Sequence, residues 1–245
     1  MGELIAVLSG KGGTGKTSVC AGVAEALALS GESVLCIDCD VGLRNLDIAL
    51  GLSDVQALSF TEVYSGEYTL DDATVHPLYP KLSFLTAPVS FRADQIDEKA
   101  FGALLQQARK KFRYIFLDAP AGVERGFDLA AKYAERIVLV TGSDPASIRD
   151  AQRAGQLLEL MGKTNVRLVV NRINKKMVAS MKITVDDIMD QAGLPLLGLV
   201  PEDPNVALAA AFKKPLLVAS KRGAATKACK RIAKRIVGYS VPIEI

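Results

Sequence analysis

Gly10-Lys-Gly-Gly-Thr-Gly-Lys-Thr17 packs four glycines, two lysines and two hydroxyls into eight consecutive residues. A strand-like run precedes it and a helical pattern follows, so the G-x-x-x-x-G-K-[ST] spacing stands in its required strand–loop–helix setting. Each residue type has a physical task. Glycines let backbone N–H groups turn inward and approach phosphate oxygens, and the following helix N-terminus adds a favourable dipole. Lys16 can reach the β- and γ-phosphates of a nucleotide and Thr17 can ligand Mg²⁺. Gly12, Gly13, Thr14, Gly15 and Ser18 complete the expected nucleotide cradle. A plain glycine-rich turn would need neither the lysine nor the threonine. Carboxylates follow two further strand-like runs. Asp38 and Asp40, two apart, are expected on one strand face, pointing into the nucleotide crevice. There Asp40 would orient an attacking water and Asp38 would support the Mg²⁺ shell. Tyr114-Ile-Phe-Leu-Asp118 reads as a hydrophobic strand ending in an acid that holds Mg²⁺ through water, and Gly122 gives a backbone N–H room beside the γ-phosphate. An aspartate at a strand end also serves as a cap or turn residue, so it is the phosphate loop that gives Asp38, Asp40 and Asp118 this reading.

Lys11 is a second lysine at the start of the loop, where the general pattern allows any residue. With it, the run KGGTGKT resembles the deviant Walker A family of ATPases. That resemblance implies a lysine crossing a dimer interface to the other subunit's nucleotide, where it supplies a cation as charge builds on the phosphoryl oxygens. Asp40-Val-Gly-Leu-Arg-Asn-Leu-Asp47 is similar to the first switch segment of the family's MinD group, the bacterial cell-division-site ATPases. Asp118-Ala-Pro-Ala-Gly122 resembles the second switch, Ser147-Ile-Arg-Asp150 a partner-facing helix start, and Val200-Pro-Glu-Asp-Pro204 a late nucleotide-side loop. The resemblance runs in order over nearly the whole chain. It implies ATP and Mg²⁺, an ATP-dependent homodimer, Asn45 and Gly122 as switch and interface residues, a MinC-like inhibitor and a MinE-like activator. It also implies that Asn171, Arg172, Pro201, Glu202 and Asp203 surround adenine. An asparagine amide can pair with an adenine edge and an arginine plane can stack on it, although strand-end polar residues are common without either role.

These residues need a frame. Short apolar runs at Glu3–Ser9, Ser33–Asp38, Leu82–Thr86, Arg113–Asp118, Arg136–Thr141, Val166–Asn171 and Leu196–Val200 read as strands covered on both faces. Helical patterns fall at Lys16–Leu29, Asp94–Lys111, Asp144–Met161, Thr184–Gln191, Pro204–Ala211 and Ala224–Val237. The alternation predicts an α/β, single-domain P-loop NTPase over residues 1–245. Its sheet should be doubly wound and mostly parallel, flanked by helices on both faces, with ligands at the strands' carboxyl ends. An apolar fraction of 49% excludes a disordered chain. The longest stretch without a charge is eleven residues, Gln191–Pro201, too short to span a bilayer. Glu3 stands where a signal peptide would be basic, and Ala6 where a myristoylation signal needs Ser or Thr. The composition is that of a reduced, cytoplasmic protein, with peripheral attachment to the membrane's inner face as a further expectation.

The net charge of +3 is uneven. Nine Lys/Arg and one acid fall between Lys213 and Ile245, so residues 1–212 sum to −5. Such asymmetry hints at an anionic surface or marks the solvated face of a helix. In the last helix Ala228, Ile232 and Ile236 recur at i+4, with mostly small neighbours. That face suits docking on the sheet better than insertion into lipid. The family's short membrane-targeting helix is not seen in Ser240-Val-Pro-Ile-Glu-Ile245. A FlhG-type flagellar-number regulator shares most motifs. A ParA-like segregation ATPase would bind nucleic acid through the basic region, an outcome less favoured here. Cys36 and Cys39 form a C-x-x-C, but three residues apart on a strand they face opposite ways, against a redox or iron–sulfur role.

Overall fold

The computed structural model describes residues 1–41, 43–89, 93–174, 180 and 183–244. Gly42 of the switch run lies outside them. Eight strands form one sheet: β1 (Glu3–Leu8), β2 (Val34–Asp38), β3 (Thr74–His76), β4 (Tyr79–Leu85), β5 (Tyr114–Asp118), β6 (Arg136–Thr141), β7 (Val166–Ile173) and β8 (Leu196–Pro201). Their order is β3-β4-β2-β5-β1-β6-β7-β8, parallel throughout except for β3 against β4. The expected doubly wound architecture is the one observed.

Alternation along the strands decides the layers. Leu4, Ala6 and Leu8 of β1 face one core, while Ile5 and Val7 face the other. Cys36 and Cys39 likewise fall in opposite cores, both as buried free thiols. One layer holds α1 (Lys16–Leu29), α2 (Leu46–Ala49), α8 (Pro204–Ala211), α9 (Leu216–Ala219) and α10 (Ala224–Val237). The other holds α3 (Phe60–Tyr64), α4 (Glu98–Lys111), α5 (Arg125–Tyr133), α6 (Pro145–Leu160) and α7 (Val185–Ala192). Each buried Val, Leu, Ile or Phe in these layers contributes about 1.5–3 kcal/mol.

Differences from the sequence reading have local causes. The α4 helix starts at Glu98 rather than Asp94, because Asp97 caps it by accepting the Lys99 and Ala100 N–H groups. The sequence pattern does not predict helix α5, because Gly126 in its first turn weakens the helical signal. A side chain there would strike Pro120, a Cβ lying 2.2 Å from its Cγ. Strand β3 and helices α2, α3 and α9 are too short to show a period. The basic helix α10 docks as expected: Ala225, Ala228, Cys229, Ile232, Ala233 and Ile236 are buried against α1 and β8. No helix among the described residues is long and apolar enough to cross a membrane.

The α1–α10 approach is close. A Cβ at Gly22 would stand 2.7 Å from Cys229 Sγ. Gly22→Ala should therefore lower unfolding stability by about 1–3 kcal/mol through overpacking, read as a lower urea midpoint at unchanged slope.

Candidate functional site

β1, β2 and β5 lie side by side, and the register sets Asp118 opposite both Val7 and Asp38. Their carboxyl ends therefore open on one rim. The loop leaving β1 turns through Gly13 and Gly15 at φ 79 and 81, a left-handed backbone that L side chains rarely adopt. A Cβ at Gly15 would also lie 2.2 Å from the Asn171 amide nitrogen. The turn delivers Lys16 to the start of α1. Its ammonium lies 2.6 Å from Asp118 Oδ1 and 3.3 Å from Thr17 Oγ1, with both members of the ion pair almost wholly buried. Burial alone lowers the lysine's pKa. The charge and hydrogen bond of Asp118, with the Asp40 charge, outweigh it and raise the Lys16 pKa above the ordinary lysine value.

Asp38 and Asp40 do not share a strand face. β2 ends at Asp38, whose carboxylate accepts the N–H groups of Asp40 (2.9 Å), Asn45 (3.2 Å) and Leu46 (3.1 Å). Those bonds turn the chain, so Asp40 sits in the loop beyond the strand. Asp38 thereby organises the switch segment and the start of α2, which Asn45 precedes. Burial and the facing Asp118 charge push the Asp38 carboxyl up to about 7, against the pull of the backbone donors. Asp40 is half-buried; burial raises its pKa, with Lys16 opposing and Asp118 reinforcing the shift. Gly122 is also left-handed, at φ 92, and its N–H donates to the Ser9 carbonyl at 3.2 Å. In this conformation that N–H serves the loop rather than standing open for a phosphate.

Lys11 reaches Asp144 at 3.4 Å, both side chains partly exposed. The sequence marks Asp144 only as the start of a helix; it caps α6 through Ser147 and also holds Lys11. The capping signal was legible, but the contact spans 133 residues and no local pattern carries it. Of Ser147-Ile-Arg-Asp150, Ser147 and Ile148 are buried and Arg149 is exposed.

On the other side of the loop, Ser18, Asn171, Arg172, Pro201, Glu202 and Asp203 line one cavity of 590 Å³. The five residues expected around adenine are thus gathered beside the phosphate loop. Their polar groups are partly committed. Asn171 Nδ2 donates to the Thr14 carbonyl at 2.8 Å, using one of the amide's two N–H donors. Glu202 accepts from Asn174 at 3.2 Å. Asp203 caps α8 through the Asn205 N–H and also accepts the Ala225 N–H. Arg172 is exposed at φ 55. Thr14 Oγ1 is buried without a hydrogen-bond partner among the described residues.

The threefold grip of Asp38 gives a local test. Asp38→Ala should speed hydrogen exchange of the Asp40, Asn45 and Leu46 amides by roughly tenfold or more relative to β1, since each loses a buried acceptor.

The comparison with known proteins agrees with this geometry. Residues 5–216 match the CobQ/CobB/MinD/ParA nucleotide binding domain family. The septum site-determining protein MinD of Synechocystis sp. is 37% identical over 244 residues, covering 99% of this chain and 92% of its own length. The MinC:MinD cell division protein complex of Aquifex aeolicus contains a chain with a TM-score of 0.91 at 34% identity, covering 99% of this chain and 98% of that one. MinD of Pyrococcus horikoshii complexed with Mg-ADP gives a TM-score of 0.85 at 26% identity, covering 97% of each chain. By its phosphate loop, its sheet and these relatives, the chain belongs to the MinD family of P-loop ATPases.

Proposed function

We propose that the chain is a Mg²⁺-dependent ATPase that dimerises on ATP and helps to select the division site by recruiting an inhibitor to the membrane. The observation that carries this reading is the buried Lys16–Asp118 pair beneath a phosphate loop whose outer lip bears Lys11. The chain acts as one unit over residues 1–245. The Aquifex relative is solved with MinC, so a MinC-like inhibitor is the partner proposed here, with a MinE-like activator of hydrolysis.

The residues fit a hard divalent cation. Thr17 Oγ1 and Asp118 Oδ1 both touch the Lys16 ammonium, and a hydroxyl with a carboxylate is the donor chemistry Mg²⁺ takes alongside phosphate and water. Thr17 and Asp118 would hold it, with Asp38 supporting from the adjacent strand, and Mg²⁺ when bound supplies charge neutralisation on the phosphate oxygens. The residues of the chain do the rest. Backbone N–H groups from Gly12 to Ser18 bind the phosphates. Lys16 exchanges its carboxylate partner for phosphate oxygens. Asp40, held half-buried beside Lys16, orients the attacking water and accepts its proton. Asn171, which also shapes the loop through Thr14, forms the base side with Arg172, Pro201, Glu202 and Asp203. Lys11 leaves Asp144 and reaches the partner protomer's phosphates, so the site is complete only in the dimer. Asn45 and Gly122 lie on the segments that report this state to partners. The location that follows is the cytoplasm, with peripheral attachment to the inner face of the membrane.

Lys11→Ala and Lys16→Ala should both abolish ATP-dependent dimerisation by light scattering, and Lys16→Ala should weaken nucleotide binding more. ATP-dependent dimers of Lys11→Ala equal to those of the native chain would remove the cross-subunit role. Asp40→Ala should lower phosphate release by about 10²–10⁴-fold while dimers still form.

A further inference from the structure

Glu25 is the one acid in the apolar stretch Val19–Leu29 of α1, and it is fully buried. The mechanism above does not use it. Its Oε2 accepts the Leu217 N–H at 3.0 Å, and the Leu216 N–H also faces the carboxyl. Both amides belong to the first turn of α9, which Pro215 precedes without a side-chain cap. Glu25 thus reaches across from α1 to supply an acceptor that α9 lacks locally. Oε1 is buried and finds no partner among the described residues.

The turn that Glu25 holds stands between two parts of the site. Leu216 lines the 590 Å³ cavity with Asn171 and Pro201. It also lines a 160 Å³ crevice with Thr17, Ser18 and Asn45. The residue before it closes on the switch side, since a Cβ at Gly51 would come within 2.7 Å of Pro215 N.

We infer that Glu25 is a positioning residue for nucleotide binding: by holding the Leu217 N–H it fixes the Leu216 wall shared by the base-side cavity and the switch-side crevice. The inference rests on reading the phosphate loop as an ATP site. It requires the acid to be neutral, because a buried carboxylate with one oxygen unpartnered is costly. Burial raises the carboxyl from 4.5 to about 8, although the Leu217 and Leu216 donors pull the other way. The titratable groups facing it are Tyr79 of β4 and Cys229 of α10, each raised first by its own burial and then by the Glu25 charge, Cys229 to about 12. Both stay neutral at pH 9 or below. The folded chain therefore holds a proton that the unfolded chain has lost between pH 4.5 and about 8. Folding stability from that proton is full below pH 4.5 and is lost progressively up to about pH 8; on ionisation the unpartnered Oε1 must draw in water, which loosens the wall.

The test measures binding of a fluorescent ATP analogue with Mg²⁺ to the full chain from pH 7 to 9, with Glu25→Gln, Glu25→Leu and Lys16→Ala alongside. Glu25→Gln keeps a neutral acceptor, so it should bind within about twofold of the native chain at pH 7 and lose less affinity than the native chain up to pH 9, the Asp38 carboxyl being common to both. The native chain should weaken about fivefold or more across the same range. In a parallel ATP hydrolysis assay at pH 7, Glu25→Leu should raise KM for ATP about tenfold, with kcat changed less than about twofold. Superimposable pH profiles for the native chain and Glu25→Gln, or native affinity in Glu25→Leu, overturn the inference. Should Glu25→Leu fail to fold, the comparison of native and Gln profiles decides alone. A native chain that ignores the analogue, or a Lys16→Ala chain that binds it equally well, instead overturns the ATP-site reading and takes this inference with it.

Discussion

A cation and a carboxylate taken out of water together constrain the whole rim of this sheet. Desolvation costs each ion of the Lys16–Asp118 pair several kcal/mol, and only close geometry offsets it. That geometry needs β1 beside β5, a left-handed glycine just before Lys16, and a strand that ends at Asp118. The pair is also unbalanced. Asp118 pairs with the ammonium and the Asp40 charge also acts on it, while Asp38 faces Asp118 and is pushed up to about 7 by burial and that charge. Adding a triphosphate to such a set calls for further positive charge. The proposed Mg²⁺ and the partner's lysine would bring it, so a requirement for a metal and a requirement for a second subunit follow from the same local deficit.

Much of this was legible in the chain, for reasons that can be named. The phosphate loop is read directly because its glycines, lysine and threonine are contiguous, and the strands because both faces are covered and apolar. Asp118 follows from standing at the end of such a strand. What sequence could not give are pairings made across the fold. Asp38 is legible as an acid at the end of a strand, but its grip on three backbone donors of the segment that follows is not. Asn171 is legible as a polar strand-end residue, but the bond from its amide nitrogen to Thr14, 157 residues away, is not. Glu25 did leave a local trace, an acid in an otherwise apolar helical run, but its meaning depended on where α9 would lie.

The basic C-terminal region shows the same division between composition and placement. Its apolar face docks as the i+4 spacing implied. Part of its charge is spent inside the molecule. Arg235 donates to the carbonyls of Leu197, Val241 and Pro242, and Arg231 pairs with Glu244 at 3.3 Å. The net +8 of that segment therefore overstates what it presents outward, since two of the cations tie the last residues to β8 and α10.

Asp203 joins two helices with a single carboxylate, one oxygen on the Asn205 amide and the other on Ala225. α8 and α10 consequently share a pivot. A displacement at the mouth of the base-side cavity is geared to the first turn of the cationic helix some twenty residues later in the chain, with no intervening segment needed to relay it.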